Sequence, residues 1–186
     1  MQIKDLTIKY ENKQVLAIDH LSVDKNEKVA ILGESGIGKT SLINALLSLI
    51  DYKGEIIDKP NFSIVFQEDR LVGELTAKEN ILLACPNANA DEMLEKVGLE
   101  KEKNDKVNTF SGGMKRRVAI VRALMAEGDL IIMDEPFKGL DESTKQQVAE
   151  YVKTQIRGRT AIMVTHDESE VEMMGGKLII MPVPNE

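Results

Sequence analysis

Gly33-Glu34-Ser35-Gly36-Ile37-Gly38-Lys39-Thr40 follows an apolar run at residues 28–32 and leads through Ser41 into a leucine-rich segment that ends at residue 49. The run predicts a strand and residues 39–49 predict a helix, so the glycine-rich turn lies at a helix N-terminus. Successive N–H groups of such a turn can surround an anion, helped by the positive end of the helix dipole. Its glycines keep side chains away from the phosphates, Lys39 can reach the outer phosphates, and the Thr40 hydroxyl can ligate magnesium. The candidate phosphate cradle is therefore Gly33, Glu34, Ser35, Gly36, Ile37, Gly38, Lys39, Thr40 and Ser41. By itself the loop predicts a bound nucleoside triphosphate or a similar ligand and leaves the purpose of binding open.

Outward from the loop, the chain has 186 residues, enough for one well-buried core and too few for two full domains. Hydrophobic residues make up 42% and charged residues 30%, a globular balance without repeats or low-complexity tracts. Acidic residues outnumber basic ones by 31 to 24, for a net charge of −7, and no block of Lys and Arg could track a nucleic-acid backbone. That argues against general binding to DNA or RNA. A single cysteine, Cys85, excludes an intrachain disulfide, and the first residues form no apolar signal region; both predict a reducing cytosol. The apolar stretch at 42–50 falls far short of the roughly 20 residues that span a bilayer, so a role in membrane transport requires another chain as the channel.

In chain order, residues 3–10 and 15–23 predict an antiparallel pair across the turn Glu11-Asn12-Lys13. Tyr10 closes the first strand, where its ring suits stacking on a base or simple half-burial. Residues 54–57 and 62–66 read as short strands, the second running into Gln67. From 71 to 110 the texture turns helical: Thr76 and Glu79 form a capping box, and Asn89, with Glu92 three residues on, opens a helix at 90–97 that Gly98 stops. A small helical lobe inserted at about 71–125 into a single domain of 1–186 is the expected organisation. Strands at 129–133, 160–165 and 177–183 alternate with a helix at 142–157, whose Val148, Val152 and Ile156 mark one buried face. This alternation predicts an α/β fold with a mostly parallel sheet flanked by helices, plus the N-terminal antiparallel part.

Four predicted strand ends carry polar residues: Lys39 with Thr40, Gln67, Asp134 with Glu135, and His166. Ligands of open α/β sheets bind beyond the carboxyl ends of the strands, so these residues are expected to share one cleft. Asp134 ends an apolar run and can hold a magnesium shell; Glu135 is placed to orient or deprotonate an attacking water. Ser111-Gly112-Gly113, followed by the Lys115-Arg116-Arg117 cluster and a helical run, reads as a second anion-binding helix start. A basic first turn opposes the helix dipole and becomes useful when an anion docks there.

The order of phosphate loop, glutamine, Ser-Gly-Gly, Asp-Glu-Pro, Gly139-Leu140-Asp141 and His166 resembles the nucleotide-binding subunits of ATP-binding cassette (ABC) transporters over nearly the whole chain. The resemblance implies a P-loop NTPase that binds ATP with Mg2+ and hydrolyses it, with Tyr10 stacking on adenine. It implies Gln67 at the metal or water, Glu135 as catalytic base, His166 at the γ-phosphate and Asp141 at a dimer interface. It further implies a head-to-tail dimer of identical chains, with Ser111, Gly112 and Gly113 reaching the γ-phosphate of the opposite subunit. The implied partners are transmembrane permease subunits and a solute-binding protein, with this chain peripheral on the cytoplasmic face of the membrane. Phe110 and Met114 stand where the family signature carries leucine and glutamine. The stretch Val65 to Leu71, with Leu75-Thr76 and Glu79-Asn80-Ile81, resembles importers of nitrate, sulfonate and taurine. The rivals are a soluble cassette ATPase without a transport role and a P-loop kinase for a small metabolite.

Overall fold

The computed structural model describes residues 1–11, 13–34 and 36–181. Two sheets share the molecule. β1 (Gln2–Tyr10) pairs antiparallel with β2 (Lys13–Ser22) on one side and with β4 (Lys53–Ile57) on the other. The second sheet holds β3 (Lys28–Leu32), β5 (Phe62–Val65), β6 (Leu130–Asp134), β7 (Thr160–Thr165) and β8 (Lys177–Ile180) in the order β5-β6-β7-β3-β8, with every pairing parallel. The part of the expected last strand beyond residue 181 lies outside the described residues.

The parallel sheet is buried on both faces because its strands alternate between two apolar clusters. Ile131, Met133, Ala161 and Met163 join one cluster, which takes in α2 (Ala77–Leu82), α3 (Ala90–Lys96), α4 (Gly112–Met125) and α5 (Glu142–Gln155). Their neighbours Leu130, Ile132, Ile162 and Val164 join the other, with α1 (Lys39–Leu46) and the inner face of the antiparallel sheet. A strand buried on both faces needs apolar residues at every position, which is why β6 reads Leu-Ile-Ile-Met. Val148 and Val152 of α5, and Ile156 just past its end, are buried in the first cluster. Phe110 is buried there as well, and Met114 packs against its edge, so both departures from the family signature face inward.

Helix starts follow local chemistry. The Thr76–Glu79 capping box forms in both directions, and Asn89 caps α3 through the Glu92 N–H. The first helix departs from its sequence pattern: α1 ends at Leu46, three residues before the expected boundary. Ser48 takes a left-handed φ of 57°, and the N–H of Leu49 bonds back to Asn44 O at 2.8 Å. This helix-ending pattern satisfies the last carbonyls at once and turns the chain toward β4. No sequence prediction covers α6 (Glu168–Met174), which is capped by Asp167.

Candidate functional site

Parallel strands place their C-terminal ends on one edge, and four of these ends carry the polar residues singled out in the sequence. A cavity of about 260 Å³ is lined by Tyr10, Val15, Gly36, Gly38, Lys39, Thr40, Ser41, Gln67, Asp134 and Glu135. Gly38 starts α1 at φ 98°, and a Cβ there would lie 2.7 Å from Val15 O, so backbone and packing both require glycine. No side chain caps α1, which leaves the N–H groups of its first turn to the loop. Gly33, Glu34 and Ile37 line a neighbouring cavity of about 490 Å³ together with His166. Ser35 lies outside the described residues.

Lys39 is buried and donates to the carbonyls of Gly33 at 2.6 Å and Glu34 at 2.7 Å. Burial holds its ammonium below the ordinary lysine pKa, although the Glu135 and Asp134 carboxylates pull the other way. The Thr40 hydroxyl donates to Asp134 Oδ2 at 3.4 Å. Burial and then the charge of Glu135 push the Asp134 carboxyl above its usual range, against the Thr40 hydrogen bond. Tyr10 stands half exposed at the rim, its hydroxyl 3.5 Å from Ser41 Oγ.

Glu135 sits at a left-handed φ of 46°, rare for a residue with a side chain, while its N–H donates to Val164 O at 2.8 Å. Its Oε1 lies 3.1 Å from His166 Nδ1 and its Oε2 3.1 Å from Lys138 Nζ, without hydrogen-bond geometry to Oε2. Burial works to raise the carboxyl pKa, but Lys138 and His166 outweigh it and hold Glu135 below its usual value. At neutral pH it is therefore a carboxylate. Two adjacent acids thus differ in chemistry: Asp134 faces the loop hydroxyl and is reluctant to ionise, and Glu135 faces two cationic or protonatable groups.

The position of His166 depends on residues that the sequence does not single out. Buried Lys145 of α5 lies 2.7 Å from Asp167 Oδ2 and 3.2 Å from Glu170 Oε1. Thr165 donates to Glu170 Oε2 at 2.6 Å and accepts from the Asp167 N–H at 3.1 Å. Both neighbours of His166 are thereby fixed, and the exposed ring projects from a rigid backbone. The sequence signal for this device was Asp167 three residues before Glu170, the spacing of a helix start.

The second helix start lies apart from the cavity. Ser111 caps α4, its Oγ accepting from the Met114 N–H at 3.3 Å. A Cβ on Gly112 would find nothing within 4 Å, and Gly112 has no left-handed φ, so neither packing nor conformation within the chain calls for glycine. A Cβ on Gly113 would lie 3.4 Å from Leu140 Cδ2. Asp141 caps α5 by accepting from the Thr144 N–H at 3.0 Å and hydroxyl at 2.7 Å. The basic cluster beside this start has a different use from the expected one. Arg116 and Arg117 turn inward: Arg117 donates to the carbonyls of Gly113, Val97 and Gly98, and Arg116 reaches the ends of β5 and β6. A guanidinium in reach of backbone carbonyls satisfies them better than it serves a helix start whose dipole repels it.

A divalent cation fits the donor set. Thr40 and Asp134 offer hard oxygens, burial and the Glu135 charge hold the Asp134 carboxyl above its usual range, and the buried Glu135 Oε2 has no hydrogen bond. Among the described residues no group of three or more His, Cys, Asp or Glu side chains is arranged to hold a metal. The cation would therefore rest on Thr40 and Asp134, with Gln67 in the same cavity. Among the described residues, no helix is long and apolar enough to cross a membrane.

The comparisons with known proteins agree with this geometry. The family described as ABC transporter matches residues 16–138. A taurine import ATP-binding protein of Escherichia coli O157:H7 is 31% identical, with 97% of this chain and 79% of that protein covered. A macrolide export ATP-binding/permease protein of Psychrobacter cryohalolentis is 32% identical over 91% of this chain, which spans only 30% of it. Among solved structures, the ATP-binding cassette MJ0796, a dimer in a post-hydrolysis state with ADP and Pi, is similar at a TM-score of 0.82 and 28% identity. That match covers 97% of this chain and 93% of the other. The chain belongs to the ABC transporter family, as an ATPase cassette of its P-loop fold.

Proposed function

We propose that this chain is the ATP-hydrolysing subunit of a solute importer, working as a homodimer beneath transmembrane permease subunits on the cytoplasmic face of a membrane. What supports the reading most directly is one arrangement: Glu135 is ionised, 3.1 Å from His166, at the rim of the cavity that also holds Lys39, Thr40, Gln67 and Asp134. Lys39 and the loop amides bind the β- and γ-phosphates of ATP, and Tyr10 offers its ring to the base. Thr40, Asp134 and Gln67 are the residues that would hold Mg2+, whose charge neutralises the transferring phosphoryl group when bound. Glu135 orients water and takes its proton, and His166, held by the Lys145 network, donates toward the γ-phosphate.

The open space at Gly112 supports a second chain in the reaction. A capped helix start with open space at Gly112 suits a γ-phosphate carried by the partner, and the Gly139–Leu140 turn adjoins Gly113 beside it. The similar cassette solved as a dimer supports the same assembly. The lobe at about 71–125 then serves as the part of this single domain that meets the permease. Import, with a solute-binding protein upstream, is the direction favoured by the stretch from Val65 to Ile81 and by the taurine import relative. Replacing Glu135 by Gln is expected to leave ATP binding intact, lower turnover by at least about 10³-fold and trap a dimer visible by gel filtration. Unchanged hydrolysis in Glu135→Gln would overturn the assignment of the base. Uptake into vesicles carrying the co-purified permease tests the direction; efflux alone would reverse it.

A further inference from the structure

Arg116 is the most enclosed cation of the molecule with no counterpart in the chemistry above. It is 3% exposed, and its N–H groups reach six acceptors. Nε donates to Pro136 O at 2.8 Å, and Nη2 to Asp134 O at 2.8 Å and Glu135 O at 2.7 Å. Nη1 donates to Phe66 O at 2.5 Å, with Gln67 O and Asp69 Oδ1 each at 3.3 Å. Arg122, further along the same helix, donates to the carbonyls of Asp69 and Arg70 at 2.9 and 2.8 Å and makes no hydrogen bond to β6.

We infer that Arg116 is a positioning residue for hydrolysis: one guanidinium makes the placement of Glu135 and Gln67 depend on α4, the helix capped by Ser111. Three observations carry this. The carbonyls it holds lie on both sides of Glu135, whose left-handed backbone persists only where the surroundings over-determine it. The fork of Arg spans two strand ends at once, which the single point donor of Lys does not. All five carbonyls belong to Gln67, Asp134, Glu135 or a direct neighbour of one, so a shift of α4 moves the backbone of metal ligand, water contact and base together. The buried charge is answered by peptide dipoles and one carboxylate, which fixes the guanidinium plane and gives it little freedom to relax. A ligand docking at the start of α4 therefore acts on the carboxylate of the same chain through a helix and one side chain.

The inference rests on Glu135 being the base, and its test separates the two. Arg116→Lys and Arg116→Gln are compared with Arg122→Lys and Glu135→Gln in the full chain, measuring kcat, KM for ATP, binding of a fluorescent ATP analogue and the thermal midpoint. In Arg116→Lys, kcat per folded molecule is expected to fall about tenfold, and more in Arg116→Gln, with KM and analogue binding within about threefold of wild type. Arg122→Lys, the control for loss of a guanidinium–carbonyl contact on the same helix, is expected to lower the thermal midpoint with kcat retained. Wild-type kcat in Arg116→Lys overturns the inference, as does a fall in kcat matched by an equal loss of nucleotide binding. Where Arg116→Gln does not fold, the Lys variant decides. Hydrolysis persisting in Glu135→Gln would instead overturn the reading of the base and leave the Arg116 result to be assigned to Gln67 or Asp134.

Discussion

Two helix starts in this chain are proposed to meet an anion, and they differ in how much of the work is done at home. At α1 the loop is enclosed: Gly38 is pressed against Val15 O, Lys39 is bonded to two loop carbonyls, and Thr40 touches Asp134. At α4 the backbone is bare, and Gly112 faces open space. The contrast teaches that a glycine can be required by what lies inside a protein or by what must come to it. The first kind shows in stability, the second only in function.

The sharpest break of the comparison is Lys39→Ala. Removing the buried ammonium from the proposed phosphate loop is expected to lower kcat/KM for ATP by about 10³-fold, some 4 kcal/mol of barrier, measured by phosphate release. Next, Gly38→Ala combines a left-handed backbone with a Cβ 2.7 Å from a carbonyl. It is expected to cost about 3 kcal/mol, read as a lower urea midpoint with unchanged slope. Gly112→Ala sharpens the other side: with nothing within 4 Å, stability should hold within about 0.5 kcal/mol. Its hydrolysis should nevertheless fall about tenfold at low protein concentration, where a partner's phosphate must reach that backbone. Equal effects of the two glycine variants on stability would erase the distinction. The smallest effect is a pH dependence. Hydrogen bonds from Lys145 and Ser169 draw the Asp167 carboxyl down to about 2 from 3.8. A depressed carboxylate stabilises the fold above its unfolded pKa, so this contribution is complete above about pH 5 and fades as pH falls through 4 toward 2. Partial exposure screens it to no more than about 1 kcal/mol, and Lys145→Met should remove that part of the acid slope in urea melts.

What could be read from sequence divides along the same line between local and non-local causes. The strand before Gly33, the Thr76 capping box and the apolar face Val148-Val152-Ile156 are each written in residues a few positions apart. The order β5-β6-β7-β3-β8 has no local signal, nor does the assignment of β4 and β5, only a short turn apart, to different sheets. The burial of Lys145, Glu170 and Arg116 has no local signal, because charge predicts exposure unless its partners are known, and partners such as Pro136 and Asp167 lie 20 or more positions away. The helix at Glu168–Met174 was hidden for the same reason, since one of its inward residues is an acid. Among the site residues, the strand-end acids and histidine were legible because chemistry at a sheet edge follows from where strands stop. The inward turn of the arginines was not.

The backbone at Glu135 carries one more consequence. At φ 46° glycine would be more comfortable by about 1 kcal/mol or more. A sequence optimised for folding alone would therefore drift to glycine there, and Glu135→Gly should melt higher than Glu135→Gln although both lack the carboxylate. A stabilised library of this protein, screened for melting temperature without an activity assay, would select its own loss of function at this position first.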